Sequence, residues 1–453
     1  MGRMSKPRKL VVIGGDAAGM SAASKVRRVD AEREIVVFER GAHTSFAACG
    51  MPYFVAGQVG PVEKLIARTP EAFRKQQNID VRIHHEALQI DTGARQLRVR
   101  ALQTSEESWE RYDDLLITTG ASPAVPRLPG MDAGGVFGLS ILQTGIDLYR
   151  DIEQHNPRKA VVVGGGYIGL EMAEALLARG IAVTLIDMAP QVMTTMDPDM
   201  SRRITEYMVE QGVTVHLEEK LERIETGADG RVSAVVTDRQ TLEAELVVTG
   251  MGVRPNSGLA EQAGIELGAA GAIRVNTRLE TSVPAVWAAG DCAESYHLVS
   301  GRQTFIALGT VANKHGLVAG TNISGGDAEF PGVLGTAITK FNDLEIARTG
   351  LSENEARQLE VSYDSASIVA RTRAGYYPDS GKIAVKLLVD RGSRRLLGGQ
   401  IVGAQGAGKR IDTLVAAITA GMTARNLMDL DLSYVPPLSP VWDPVQVAAR
   451  KLA

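Results

Sequence analysis

The sequence predicts an α/β fold of two Rossmann-like units followed by a C-terminal α+β domain. Three observations carry this. A pattern of apolar strand, glycine turn, small-residue helix and acid-terminated strand occurs twice, at 9–39 and 159–187. Glycine is in excess, 48 of 453 residues, about 11% against a usual ~7%. From Pro331 the pattern becomes strands followed by helices, with no glycine-rich nucleotide turn.

The first copy opens with KLVVIGG at 9–15, continues through a small-residue helix and ends on Ile35-Val36-Val37-Phe38 before Glu39. The second opens with KAVVVGGG at 159–166, runs through a helix to about Arg179 and ends on Ala182–Ile186 before Asp187. Near-continuous apolar strands fit a parallel sheet covered on both faces. Ser324-Gly325-Gly326-Asp327 marks a boundary. Beyond it, strands are expected at Val333–Ile346, Ile383–Val389 and Leu396–Val402, and helices at about Lys409–Gly421 and Ala424–Met428.

Composition narrows the function classes. The chain has 44% hydrophobic and 23% charged residues, so it folds around cores, and at ~150 residues per domain it has room for about three. A net charge of −4 gives no reason to expect a nucleic acid partner. Cys49 and Cys292 are too far apart for a CxxC metal or redox pair and too few for a disulfide framework. No metal is expected, and a reducing, cytoplasmic setting is the simplest reading. No apolar run reaches the ~18–20 residues of a membrane span. The basic start MGRMSKPRK leads into too short an apolar run for a signal segment, and Lys6 stands where myristoylation wants Ser or Thr.

A pyrophosphate needs backbone N–H groups at close range and the positive end of a helix, and glycine permits that approach. Gly164-Gly165-Gly166-Tyr167-Ile168-Gly169 is a full GxGxxG between strand and helix. Asp187 follows by roughly 20 residues, placed for a ribose hydroxyl. The first copy, Gly14-Gly15-Asp16-Ala17-Ala18-Gly19, carries Asp16 in place of the middle glycine; Glu39 supplies its acid. A third signal is VPAVWAAGDC at 283–292, a strand ending in Gly290-Asp291, where an acid can accept hydrogen bonds from a ribityl chain.

Two such units, with Thr118-Thr119-Gly120 after the strand Leu115-Leu116-Ile117, resemble the flavoproteins with separate FAD and NAD(P) domains. The resemblance implies an FAD domain at 1–118 and 254–326, an NAD(P)H domain at 119–253 and a dimerisation domain at 327–453. It places Gly14, Gly15, Ala17, Ala18, Gly19, Glu39, Arg40, Thr119, Gly120, Gly290, Asp291, Gly309 and Thr310 along FAD. Gly164, Gly166, Tyr167, Ile168, Gly169, Glu171, Asp187 and Gly252 fall along the nicotinamide dinucleotide. Asp187 followed by Met188 favours NADH over NADPH.

Cys49 lies in Ser45-Phe46-Ala47-Ala48-Cys49-Gly50-Met51-Pro52-Tyr53, expected at a helix start, where a thiol's pKa is lowered. This segment resembles the single-cysteine group: coenzyme A disulfide reductases, NADH oxidases and peroxidases, and persulfide reductases. With no second thiol, Cys49 forms a mixed disulfide with a substrate thiol or cycles through a sulfenic acid. Oxidases and peroxidases carry a His in the first turn where this chain has Ala17.

Ser21, Lys25 and Arg28 share one face of the first helix and, with Ser45 and Asn313, match coenzyme A contacts of the reductases. Ala48, Gln77 and Trp442 depart from the residues some relatives carry. Tyr376 and Tyr434 match a catalytic pair reaching the partner subunit's cysteine, and Tyr377 is the alternative neighbour. Cys292 is expected to be structural, and no rhodanese-like extension is expected after Ala453. The implied protein is a homodimer that uses NAD(P)H, FAD and Cys49 to reduce coenzyme A disulfide or related persulfides. The alternatives are an NADH oxidase or peroxidase, a polysulfide reductase, or a slow flavin-based NADH sensor.

Overall fold

The computed structural model describes residues 7–453. Residues 1–6, Lys6 among them, which bear on the expectations about signal segments and myristoylation, lie outside the described residues.

Two five-stranded parallel sheets repeat one plan. In the first, the strands run Val286–Ala288, Asp114–Ile117, Lys9–Ile13, Glu34–Phe38, Asp80–Arg82 across the sheet. In the second the order is Val136–Gly138, Leu246–Thr249, Lys159–Val163, Ala182–Asp187, Thr214–Leu217. Each glycine-turn strand is therefore central, and its turn opens at the carboxyl edge where parallel α/β sheets bind ligands. The strands read as apolar runs because both faces are covered: Leu10, Val11 and Val12 are fully buried, as are Leu185 and Ile186. Because Val286–Ala288 pairs with Asp114–Ile117, the chain returns to the first sheet after completing the second.

Two three-stranded antiparallel sheets, within 85–111 and 221–243, flank these units. Neither was expected; their alternating, half-exposed residues resemble surface loops in composition. The C-terminal domain is a five-stranded antiparallel sheet with the helices Ile411–Thr419, Ala424–Met428 and Pro444–Arg450. The single strand expected at 333–346 is a hairpin instead, Ala337–Phe341 and Leu344–Gly350, because Asn342 turns the chain at φ +49°. The edge strand Tyr363–Arg371, which pairs with Lys382–Asp390 on the opposite side of the sheet, was also missed.

Buried polar contacts lock this domain onto the second unit. Lys386 bridges Asp197, Asp199 and Glu353, and Gln400 donates to Asp197 at 2.8 Å. Lys386 and Asp197 are both buried, and a buried charge persists only where it is paired. No described helix is long and apolar enough to cross a membrane.

Candidate functional site

Each glycine turn is built by the same steric logic. Gly14 has φ +104° and Gly164 φ +103°, a region that disfavours other residues. A Cβ on Gly19 would lie 2.1 Å from the Gly14 carbonyl oxygen, and one on Gly169 1.8 Å from that of Gly164. Helix and strand can approach this closely only without side chains there. The helices Ala17–Val29 and Tyr167–Ala178 then start at the turns and aim their N-terminal amides at the sheet edge.

The acid at the end of each second strand braces its turn. Glu39 accepts from Gly15 N at 2.8 Å and from Gly41 N at 2.6 Å. Asp187 accepts from Gly165 N at 2.6 Å and from Ala189 N at 2.8 Å. Arg40 lies outside the turn, exposed and 3.7 Å from Glu86. Thr119 and Gly120 meet the returning chain: Asn256 donates to Thr119 O at 2.8 Å, and its own N–H donates to Gly120 O at 2.9 Å. Gly252, at φ +87°, turns that return segment.

Gly290 packs so tightly on the first helix that a Cβ would be 2.9 Å from Ala18. Its N–H donates to Nδ1 of His315 at 3.3 Å, and Nε2 of the same ring lies 3.3 Å from Ser295 Oγ. His315 is fully buried, and burial pushes its pKa down to about 4, so the ring is neutral and can accept. Beside it, Asp291 Oδ1 is buried with no hydrogen-bond partner. Burial pushes this carboxyl up to about 6. An orphaned buried acceptor facing a glycine cradle fits a ligand bearing hydroxyl donors, as the ribityl chain of FAD does. Gly309 and Thr310 open the helix Gly309–Ile323 next to it and are exposed.

Cys49 sits in a short 3-10 turn, Ala48–Gly50, that runs into the five-residue helix Met51–Val55. The residue is exposed, with no disulfide. The expected lowering of its pKa is not found. Desolvation by neighbouring atoms, then the carboxylates of Glu171 and Asp291, raise the thiol above its ordinary value, and Asp16 adds to this. One helical turn has little dipole to set against these carboxylates. Cys292 is fully buried and donates to Ile117 O and Ala289 O, both at 3.4 Å.

Glu171, on the second unit's helix, accepts from Thr339 Oγ1 of the C-terminal domain at 2.8 Å, and burial raises its carboxyl pKa. Tyr167, one turn earlier on that helix, lies beside the Thr195 side chain, and burial raises its phenol. Arg348, from the C-terminal domain, donates to Thr195 O at 2.7 Å. Ile168 is half-buried beside Tyr167.

Ser21 Oγ is 2.8 Å from Asn313 Oδ1, so these two residues meet where the helices Ala17–Val29 and Gly309–Ile323 pack through Gly316 and Gly320. Lys25 lies half-buried along this seam, and Arg28 is exposed one turn on. Arg27, between them, is committed to backbone carbonyls of Gln77, Arg33 and Asn78. Ser45 adopts φ +50° and donates its N–H to Gly15 O at 3.0 Å, which ties the cysteine segment to the first turn.

Tyr376 and Tyr434 come together from distant segments: a hydrogen bond between them is the leading cause of a raised Tyr434 pKa. They are 77% and 46% exposed, on a surface shared with Leu438, Val441 and Trp442. Such apolar exposure marks an interaction face. Sequence reasoning missed His315, Asn256, Thr339 and Arg348, which act through contacts distant in sequence and carry no local motif.

A family model described as pyridine nucleotide-disulphide oxidoreductase matches residues 8–316, and its dimerisation-domain model matches 336–444. The chain belongs to the pyridine nucleotide-disulphide oxidoreductase family. This oxidoreductase is 44% identical to the NAD(P)H sulfur oxidoreductase (CoA-dependent) of Pyrococcus furiosus, over 98% of this chain and 99% of that one. It is 31% identical to the coenzyme A disulfide reductase of Staphylococcus aureus, again over 98% and 99%. The solved structure of an NAD-dependent persulfide reductase from A. fulgidus matches with TM-score 0.94 and 40% identity, over 98% of this chain and 82% of that one. The family uses FAD and NAD(P)H, and the orphaned Asp291 acceptor and the two glycine turns fit those groups.

Proposed function

We propose that this enzyme takes electrons from NADH through FAD to Cys49 and reduces coenzyme A disulfide and coenzyme A persulfides. The observation that carries this is a single exposed thiol at the mouth of the first glycine turn, facing Glu171 and Asp291, with no second cysteine in reach.

In this reading Gly14, Gly15, Ala17, Ala18, Gly19, Glu39, Arg40, Thr119, Gly120, Gly290, Asp291, Gly309 and Thr310 bind FAD. Gly164, Gly166, Tyr167, Ile168, Gly169, Glu171, Asp187 and Gly252 serve NADH. Asp187 presents a carboxylate where a 2′-phosphate would meet like charge, which favours NADH over NADPH. FAD held by the first-turn residues would supply the two-electron relay between the nicotinamide and the sulfur at 49.

Cys49 Sγ attacks the substrate disulfide, one coenzyme A thiolate leaves, and Cys49 is left in a mixed disulfide. Two electrons then cleave that bond, releasing the second thiolate and restoring Cys49. Overall, NADH and one proton convert one disulfide into two thiols. Ser21, Lys25, Arg28, Ser45 and Asn313 bind coenzyme A, the two cations facing its phosphates. Tyr376 and Tyr434 act in a homodimer, protonating the thiolate that leaves the partner's cysteine. The exposed apolar face around them supports that arrangement. The setting is the cytoplasm, which keeps the thiol reduced.

The higher identity to the Pyrococcus and A. fulgidus sulfur reductases favours a persulfide over the symmetrical disulfide as the better substrate. Ala17 supplies no acid–base group beside the thiol, which disfavours the oxidase and peroxidase reading.

Cys49→Ser tests the proposal. The variant is expected to keep FAD and NADH binding while steady-state reduction of coenzyme A disulfide falls by at least about 10³-fold, since serine forms no mixed disulfide. Undiminished turnover would overturn it.

A further inference from the structure

Asp16 breaks the first glycine motif, and the second unit shows what the break adds. Ser45 at φ +50° donates its N–H to Gly15 O at 3.0 Å, and Met193 at φ +47° donates to Gly165 O at 2.7 Å. The two segments meet their turns in the same way. In the first unit the next amide, Phe46 N–H, donates to Asp16 Oδ1 at 3.1 Å. In the second, Gly166 offers the corresponding amide of Thr194 no side chain.

Sterics permit the substitution. A Cβ at Gly166 would meet nothing closer than the Gly250 carbonyl oxygen at 4.0 Å, so the middle position has room. Nor is helix capping the explanation, because Asp16 makes no side-chain cap bond to the helix it precedes. What distinguishes the two segments is their cargo: three residues beyond Phe46 stands Cys49, whereas 193–196 carries no thiol.

The segment is held at both sides. Ala47 N–H donates to Leu65 O at 2.7 Å and Ala67 N–H donates to Ser45 O at 2.8 Å. On the flavin-turn side Asp16 adds a side-chain tie to the backbone bond from Ser45 N–H to Gly15 O.

We propose that Asp16 is a positioning residue for Cys49: its carboxylate anchors the 45–49 segment through Phe46 N–H and sets the reactivity of the thiol by its charge. This rests on Cys49 being the working thiol. The groups facing Asp16 are Glu39 and Asp291, and those facing Cys49 are Glu171, Asp291 and Asp16 itself. Burial, then the charges of Glu39 and Asp291, push the Asp16 carboxyl up to about 6, and its charge when ionised adds to those that raise the thiol.

The test is the pH dependence of Cys49 alkylation by iodoacetamide in the FAD-loaded enzyme, read by peptide mass; buried Cys292 serves as the internal control. Asp16→Asn keeps an acceptor for Phe46 N–H and removes the charge. Asp16→Gly restores the motif already used by the second unit and removes both. Both variants are expected to move the alkylation midpoint down by about 0.5 pH unit, giving roughly threefold faster labelling at pH 7.5. Hydrogen exchange in the peptide containing Phe46 is expected to quicken in Asp16→Gly and not in Asp16→Asn. An unmoved midpoint in both variants, or equal exchange in the two, overturns the proposal. Turnover of alkylated wild-type enzyme separately reports whether Cys49 is the working thiol.

Discussion

The two glycine turns are near copies in backbone and differ in what hangs from them. Both begin with a glycine near φ +103°, both are braced by an acid that takes two backbone N–H groups, and both receive an amide from a residue at positive φ. The first adds Asp16, the Cys49 segment and the Gly290-Asp291 turn held by neutral His315. The second adds the Tyr167–Thr195–Arg348 chain into the C-terminal domain. One scaffold binds a dinucleotide; what surrounds it decides whether the electrons stop at a thiol or enter from a nicotinamide.

The most severe way to break the likeness is at the third glycine. Gly19→Ala and Gly169→Ala each force a methyl against a backbone carbonyl and are expected to cost about 3 kcal/mol, the upper end of overpacking costs. Gly19→Ala should lose the yellow flavin absorbance. Gly169→Ala should keep it and lose reduction by NADH, while Gly166→Ala, which has open space, should retain both the fold and the flavin. Loss of flavin from Gly169→Ala would mean that the two units do not bind separately.

Asp291 sharpens the comparison, since the second turn has no counterpart with an orphaned buried oxygen among the described residues. Its folded pKa, about 6, exceeds the ordinary carboxylate value, so its contribution to FAD-free stability is complete below about pH 4 and is lost as pH rises through 6. Asp291→Asn is therefore expected to stabilise FAD-free protein at pH 7.5 by on the order of 1–2 kcal/mol, with little difference at pH 4. The same change should weaken FAD retention. Thermal unfolding of FAD-free wild type and variant at both pH values checks the sign; a gap that does not grow with pH refutes it.

The smallest expected effect separates the two acids. Asp187 is expected to give NADH at least a tenfold advantage in kcat/KM over NADPH, or ~1.4 kcal/mol, and Asp187→Ser to narrow it. The same swap at Glu39 should leave coenzyme preference alone. Equal efficiency with both coenzymes in the wild type would remove the assigned role of Asp187.

Legibility in the sequence followed locality. The paired sheets rest on runs such as Leu10–Ile13 and Ala160–Val163, whose burial follows from composition alone, and the turns on glycines that permit close backbone approach. The hairpin at 337–350 is signalled by Asn342-Asp343, a turn pair inside an otherwise continuous strand pattern, which the expectation of one strand passes over. The electrostatics of Cys49 were hidden more deeply. A helix start suggested a lowered thiol pKa, but Glu171, Asp291 and Asp16 converge on it from three elements far apart in the chain. His315 gave no signal because its role, neutral acceptor for Gly290 N–H, exists only once the helix Gly309–Ile323 has packed. Tyr376 and Tyr434 likewise meet only through folding.

The central claim is that Cys49 carries the electrons as a mixed disulfide. The direct measurement is the mass of the Cys49 peptide after enzyme carrying Cys49 as the free thiol and FAD in its oxidised form is mixed anaerobically with one equivalent of coenzyme A disulfide and quenched in acid. The account predicts coenzyme A attached at Cys49 and one free coenzyme A thiol released per disulfide consumed. Disulfide left unconsumed, or thiol released with no adduct at Cys49 at any quench time, would contradict it.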